Sequence, residues 1–256
     1  AKETLKNMLN GLIGFIGDGH EITLHLDTFS DIFKTVIEDT VLSNENVQTI
    51  VKDIYKIRTN GMTDLELAIK KSTKIIDDFT QVNENHKVLH ILLTDGEPTC
   101  GASSVSQLEQ MVSNKYPCAF IGYGVHHKAH LLQSLSKTHI SHKYLFVDNY
   151  AKTGVIYGEL IYNMMNTTLQ NISISMVNGY IYDSQNNKWE DSIQIYNMVS
   201  QKEYIYHIKT SESVESVSAM FLGTINTDQS KFVWNQFYDK QEDLSKYIFR
   251  QKTMEL

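Results

Sequence analysis

Apolar residues recur every three or four positions at the start of the chain. Leu5, Met8, Leu9, Leu12, Ile13 and Ile16 share one face, which predicts an amphipathic helix over 2–16. The period then drops to two. EITLHLDTFSD (21–31) places Ile22, Leu24 and Leu26 on one side and reads as a strand, and FKTVIEDTVL (33–42) reads as a second, polar-alternating one. NVQTIVKDIYKI (46–57) predicts a short helix. TDLELAIKKSTKIIDDF (63–79) predicts a long one, with Leu65, Ala68, Ile69, Ser72, Ile76 and Phe79 aligned. KVLHILLTD (87–95) is almost continuously apolar, the pattern of a strand covered on both faces. Helix, strand, helix, strand and helix follow at 104–115, 116–125, 130–138, 143–148 and 155–169. Strands separated by helix-length segments imply parallel pairing through right-handed crossovers. The first two-thirds therefore predict an open, mostly parallel α/β sheet flanked by helices.

Near residue 168 the pattern changes. LQNISISMVNGYIYD (169–183), EDSIQIYNMV (190–199), EYIYHIKT (203–210), SVSAMFLGTI (216–225) and KFVWNQFYD (231–239) alternate at period two. Turn-forming DSQNNK and NTDQSK separate some of them. These predict a small antiparallel, sandwich-like β domain over 168–256, after an α/β domain over 1–167. EDLSKYIFRQKTMEL (242–256) reads as the start of another helix.

Composition narrows the class. A chain of 256 residues, 41% hydrophobic and 21% charged, has ample material for a core. The net charge of −7, with both signs interspersed, leaves nucleic acid a poor partner. No apolar run reaches the roughly 20 residues that cross a bilayer, so no membrane partner is expected, and the first residues are amphipathic rather than signal-like. Two cysteines, Cys100 and Cys118, exclude a disulfide scaffold and favour a cytoplasmic or other intracellular setting. The Asn-x-Ser/Thr sites at Asn166 and Asn171 do not outweigh that. The basic residues are 21 lysines and only Arg58 and Arg250, and Asn, Ile and Tyr are plentiful. That bias suggests an AT-rich genome, such as that of a protist, a bacterium or a large DNA virus.

Candidate chemistry concentrates where strands end. In an open α/β sheet, ligands bind outside the carboxyl ends of the strands. Asp95 closes the run HILLTD there, and Thr63, in the loop before the long helix, faces the same edge. A carboxylate and a hydroxyl suit a hard cation such as Mg²⁺. Each also has a structural reading. Asp95-Gly96 is a common turn pair, and Thr63 with Glu66 spells a T-x-x-E capping box. Asp64 suits the helix N-terminus, Ser30 and Asp31 a surface turn, and Glu97 a solvated loop. His126, His127 and His130 have spacings compatible with zinc, but no fourth ligand accompanies them. The glycines of GYGV lack a nucleotide-loop frame and suit a packing role after the strand. Cys118 reads as an inert core thiol. Tyr180, Tyr182, Trp189 and Trp234 read as core or edge of the β domain. No nucleophile–base pair is visible, so an enzyme is not expected.

Taken as a set, LHLDTFSD, NGMTDLELAI, ILLTDGEPT and AFIGYGV resemble, in order and spacing, the von Willebrand factor A (VWA) family over about residues 1–165. The resemblance implies a Rossmann-like fold and a metal-ion-dependent adhesion site. It assigns Thr63 and Asp95 as ligands of Mg²⁺, or of Mn²⁺ or Ca²⁺, with an open position for an Asp or Glu of a partner protein. The family's Asp-x-Ser-x-Ser loop has no counterpart here, because AKETLKNML resembles the helix that follows it. The strand and loop are expected upstream, filling a slot between the strands at 21–27 and 88–94. The β-rich segment resembles the layout of larger intracellular VWA proteins, some of them ubiquitin-ligase-like. Two other readings stay open: a metal-dependent hydrolase using Asp95, with Asp148 as a second acid, and a scaffold whose metal site has decayed.

Overall fold

The computed structural model describes residues 2–17, 19–58, 61–83, 86–95, 97–124, 127–148, 150–184, 186–210, 216–225 and 228–237. The chain divides into two compact units, Ala1–Met165 and Asn166–Leu256.

In the first unit, helices and strands alternate as the periodicity predicts. The elements are α1 (Lys2–Gly17), β1 (Thr23–Phe29), β2 (Phe33–Val41), α2 (Val47–Lys56), α3 (Leu65–Val82), β3 (His90–Thr94), α4 (Val105–Glu109), β4 (Cys118–Tyr123), α5 (Ala129–Ser136), β5 (Lys143–Val147) and α6 (Tyr150–Met165). β3, β4 and β5 pair in parallel, in that order. Residues Cys118 to Gly122 of β4 are buried throughout, as a central strand clothed on both faces must be. On one face Leu92 and Phe120 meet Leu65, Ala68 and Ile69 of α3 and the leucines of α5. On the other, Ala119 and Ile121 meet Tyr157 and Leu160 of α6.

β1 and β2 form a separate antiparallel pair. Its apolar face packs with Leu9 and Leu12 of α1 and with Ile50 and Ile54 of α2. Among the described residues, β1 pairs only with β2 and β3 only with β4, so each keeps one open edge. The same helices serve both sheets. Phe29 of β1 packs on the cluster that holds α3 and β3, and Met8 of α1 touches the clusters of both sheets.

The β1–β2 pair also carries a charged clamp. The His25 imidazole bonds Asp39 through Nδ1 at 2.8 Å and Asp27 through Nε2 at 3.1 Å, and Thr35 donates to the same Asp27 oxygen at 2.8 Å. The bond to Asp27, reinforced by Asp39 and only partly offset by burial, raises the pKa of His25 to about 9.

Two helix boundaries depart from the pattern. The helix predicted over 104–115 stops at Glu109. Ser113 then bonds the Lys115 N–H at 3.3 Å, offering the backbone a turn in place of another helical bond. The final helix of this unit ends at Met165 rather than 169, and the β-branched pair Thr167-Thr168 opens the next strand.

The second unit is antiparallel. It contains β6 (Thr167–Val177), β7 (Gly179–Asp183), β8 (Lys188–Glu190), β9 (Ser192–Val199), β10 (Ile208–Thr210), β11 (Ser216–Ile225) and β12 (Asp228–Phe237). They form a sheet of order β12-β11-β6-β9 and another of order β10-β7-β8. Ile172, Ile174 and Ala219 from the first share a core with Ile181 from the second. The β-rich run over 169–183 breaks at Asn178, whose positive φ of 64° sends β6 and β7 into different sheets. The segment 203–210 is strand only at Ile208–Thr210. Tyr182 is buried, while Tyr180 is exposed and lies under the Lys209 ammonium. The Trp234 side chain and the tail at 242–256 lie outside the described residues.

Candidate metal centre

Asp95 follows the last residue of β3 and is exposed. Thr63 sits one residue before the cap of α3. That cap is Asp64: its backbone is extended and its carboxylate accepts the Leu67 N–H at 2.9 Å, the arrangement expected of an N-cap. The T-x-x-E box does not form. Glu66 instead accepts the Ala102 N–H at 2.8 Å and pairs with Lys70 at 2.5 Å. The Lys70 bond, then that of Ala102, holds its carboxyl below the usual range. Thr63 is therefore not the cap.

Three loops meet around it. The Thr63 N–H donates to Thr99 Oγ1 at 2.8 Å, and the Thr63 carbonyl accepts from the N–H groups of Thr99 (2.9 Å) and Cys100 (3.3 Å). Asp64 N donates to the Ser30 carbonyl at 3.1 Å and Met62 N to Asp31 Oδ1 at 3.4 Å. The turn after β1, the loop before α3 and the loop after β3 are thus tied at one edge. Two left-handed glycines allow this approach. A β-carbon on Gly61 (φ 75°) would fall on the Asp31 carboxylate, and one on Gly101 (φ 70°) on that of Asp64.

The edge is acidic. Asp31 is exposed, and hydrogen bonds from its own backbone N–H, Ser30 and Met62 keep its carboxyl below the usual range. Partial loss of solvent, then the charges of Asp64 and Asp31, push the Cys100 thiol up. Glu97 is exposed and stands 3.9 Å from Lys128. Thr63 and Asp95 offer hard oxygen donors on loops that are bonded together, which fits a hard cation, but they are two donors where Mg²⁺ takes about six. Among the described residues no group of three His, Cys, Asp or Glu side chains is placed to hold a metal.

The other sequence candidates lie elsewhere. His127 uses both ring nitrogens: Nδ1 bonds the Gly124 carbonyl at 2.5 Å and Nε2 the Tyr144 hydroxyl at 2.6 Å, with the ring stacked on Phe146. His130 is exposed, and His126 and Gly96 lie outside the described residues. Burial pushes the Cys118 thiol up, consistent with an inert core position. Asp148 follows β5, which β4 separates from β3, so it and Asp95 stand on strands about 10 Å apart. The role of Thr99 is not visible in the sequence, because nothing in T-C-G-A marks a residue whose hydroxyl bonds a backbone group 36 positions away.

A doubly covered parallel sheet with its candidate ligands at the carboxyl edge defines the class. Residues 1–159 match the von Willebrand factor type A domain, and the chain belongs to that family. Domains of this family are generally interaction modules. Among solved structures, the chain resembles a von Willebrand factor type A protein from Catenulispora acidiphila, with a TM-score of 0.60 at 11% identity over 91% of this chain and 60% of that one. It therefore spans less than two-thirds of that structure. Zinc-occupied proximal thread matrix protein 1 from the mussel byssus scores 0.47 at 16% identity, over 70% of this chain and 45% of that one. Manganese-loaded TRAP of Plasmodium vivax scores 0.45 at 15% identity, over 91% and 84%. No curated protein sequence matches this chain. No helix among the described residues is long and apolar enough to cross a membrane.

Proposed function

We propose that this edge is part of a metal-ion-dependent adhesion site and that the protein is a non-catalytic binding module. Thr63 and Asp95 would each give an oxygen to Mg²⁺, or to Mn²⁺ or Ca²⁺. A further strand, lying in the slot between β1 and β3 and ending in an Asp-x-Ser-x-Ser loop, would give the rest. The ion would supply an open coordination position to an Asp or Glu of a partner protein. The observation that carries this reading is the locking of Thr63, through both backbone groups, to Thr99 and Cys100 just beyond Asp95. It ties the segment that carries Thr63 to the loop that follows Asp95, a link that capping does not require. Among the described residues the edges that β1 and β3 leave unpaired support this reading, since unpaired strand backbone invites another strand. The spacing of Asp148 from Asp95 counts against a hydrolase that uses both on one ion. Free thiols at Cys100 and Cys118 suit an intracellular setting.

Calorimetric titration of the full-length protein with Mg²⁺, and pull-down of partners with and without EDTA, test the proposal. Binding should need the metal, and Asp95→Ala should abolish it while leaving thermal unfolding nearly unchanged, because Asp95 is at a rim. Metal-independent binding, or full affinity in Asp95→Ala, would favour the scaffold reading instead.

A further inference from the structure

We infer that the partner segment received at this edge carries a bulky apolar residue next to its acidic one, rather than a run of acidic residues. The inference rests on the metal-binding reading above and adds the chemistry of the partner. Ile32 and Met62 are large apolar side chains left 66% and 51% exposed. Single exposed apolar residues are ordinary on protein surfaces. These two differ in where they sit and how firmly they are held.

Met62 directly precedes Thr63, and its N–H is bonded to Asp31, the residue before Ile32. Ile32 is fixed in its turn by reciprocal bonds with Ser30: the Ile32 N–H donates to Ser30 Oγ at 3.2 Å, and its carbonyl accepts the Ser30 N–H at 3.0 Å. The Ser30 carbonyl in turn accepts the Asp64 N–H. Two apolar side chains are therefore presented on joined, hydrogen-bonded loops, and one of them, Met62, is the chain neighbour of a proposed ligand. Loops held this way lose little freedom when a partner covers them, so burying the two side chains is realised as affinity.

Charge settles what should accompany the bound carboxylate. Asp31, exposed and ionised, precedes Ile32 in the chain and accepts the Met62 N–H, and Asp64 and Asp95 add negative charge to the same edge. A metal ion can attract one carboxylate here. A second acidic residue reaching the Ile32–Met62 shoulder would meet Asp31 and be repelled, whereas an apolar one would be buried.

The test uses two synthetic peptides, one with a central Asp flanked by Leu and one with the Asp flanked by Glu. Their binding to the full-length protein is read by fluorescence anisotropy in Mg²⁺ and in EDTA. The Leu-flanked peptide should bind about tenfold more tightly, which corresponds to burying one such side chain. Ile32→Ser and Met62→Ser should each weaken binding of the Leu-flanked peptide several-fold, leaving only the part of the preference that Asp31 sets. Neither should change binding of the Glu-flanked peptide or the thermal midpoint, since both residues are exposed. Equal affinities of the two peptides in Mg²⁺, or Leu-flanked binding that neither substitution weakens, would overturn the inference and leave the metal reading standing. Binding that ignores EDTA, or no binding of either peptide, would sink the metal reading and this inference with it.

Discussion

The imidazole of His127 lies where a β-carbon on Gly122 would be. Gly122 is in the middle strand of the parallel sheet, and His127 folds back over it from the loop that follows, anchored by Gly124 and Tyr144. The glycine is needed for space, not for backbone freedom. Gly122→Ala should destabilise the protein by about 1–3 kcal/mol, the usual cost of overpacking. Because the conflict is with one side chain, adding His127→Ala should recover part of the loss. Urea denaturation of the two single variants and the double variant measures the coupling, and simple additivity would contradict it.

His25 predicts an alkaline limit to stability. Its pKa is about 9 when folded, against 6.5 when unfolded. Below 6.5 both states are protonated and the clamp to Asp27 and Asp39 contributes in full. Between 6.5 and about 9 the unfolded chain has released its proton and the folded one has not, so the contribution shrinks as pH rises and is gone above about 9. Urea midpoints should fall across that window in the native protein and fall less in His25→Gln. Parallel curves for the two proteins would exclude the clamp as the cause.

Acid should act through different histidines. Burial, together with the charges of neighbouring histidines, lowers the pKa values of His90 and His142 to about 4. Above about 6.5 these groups are neutral in both states and cost nothing. As pH falls from there towards 4, the unfolded chain takes up protons that the folded one refuses, and stability drops. His90→Leu should flatten the slope of denaturation midpoint against pH over that range. An unchanged slope would assign the acid sensitivity to carboxylates alone.

The elements of the first unit were legible because burial writes itself into periodicity. The run from Val88 to Thr94 and the aligned face of Leu65, Ala68 and Ile69 could be little else. Boundaries were less legible where local polar groups compete with the ladder, as at Ser113 after α4 and at Asn178 between β6 and β7. The site divides in the same way. A strand-end aspartate and a threonine before a helix can be read from order and spacing. Which residue caps the helix cannot, because Thr63 and Asp64 are both good caps and only the bond from Leu67 decides between them. Contacts such as Thr63–Thr99 depend on loops meeting in space and leave no local trace.

That contact gives the last prediction. Thr99 touches the backbone of Thr63, not a metal, so its role would be to position. Thr99→Val keeps the shape and the backbone bond from residue 99 to the Thr63 carbonyl but removes the acceptor for the Thr63 N–H. Thr99 is exposed, so water can replace the lost bond and the stability change should be about 1 kcal/mol or less. Metal affinity should suffer more. Losing an outer contact that orients a ligand typically weakens binding by about 10- to 100-fold. Thr99→Ser, which restores an acceptor at the same atom, should recover most of the affinity. Titration of the full-length protein and both variants with Mg²⁺, beside their thermal midpoints, separates the two effects. Equal metal affinity in the native protein and Thr99→Val would show that the loops hold the two candidate ligands without this bond, and a loss that Thr99→Ser fails to repair would point to packing rather than the hydroxyl.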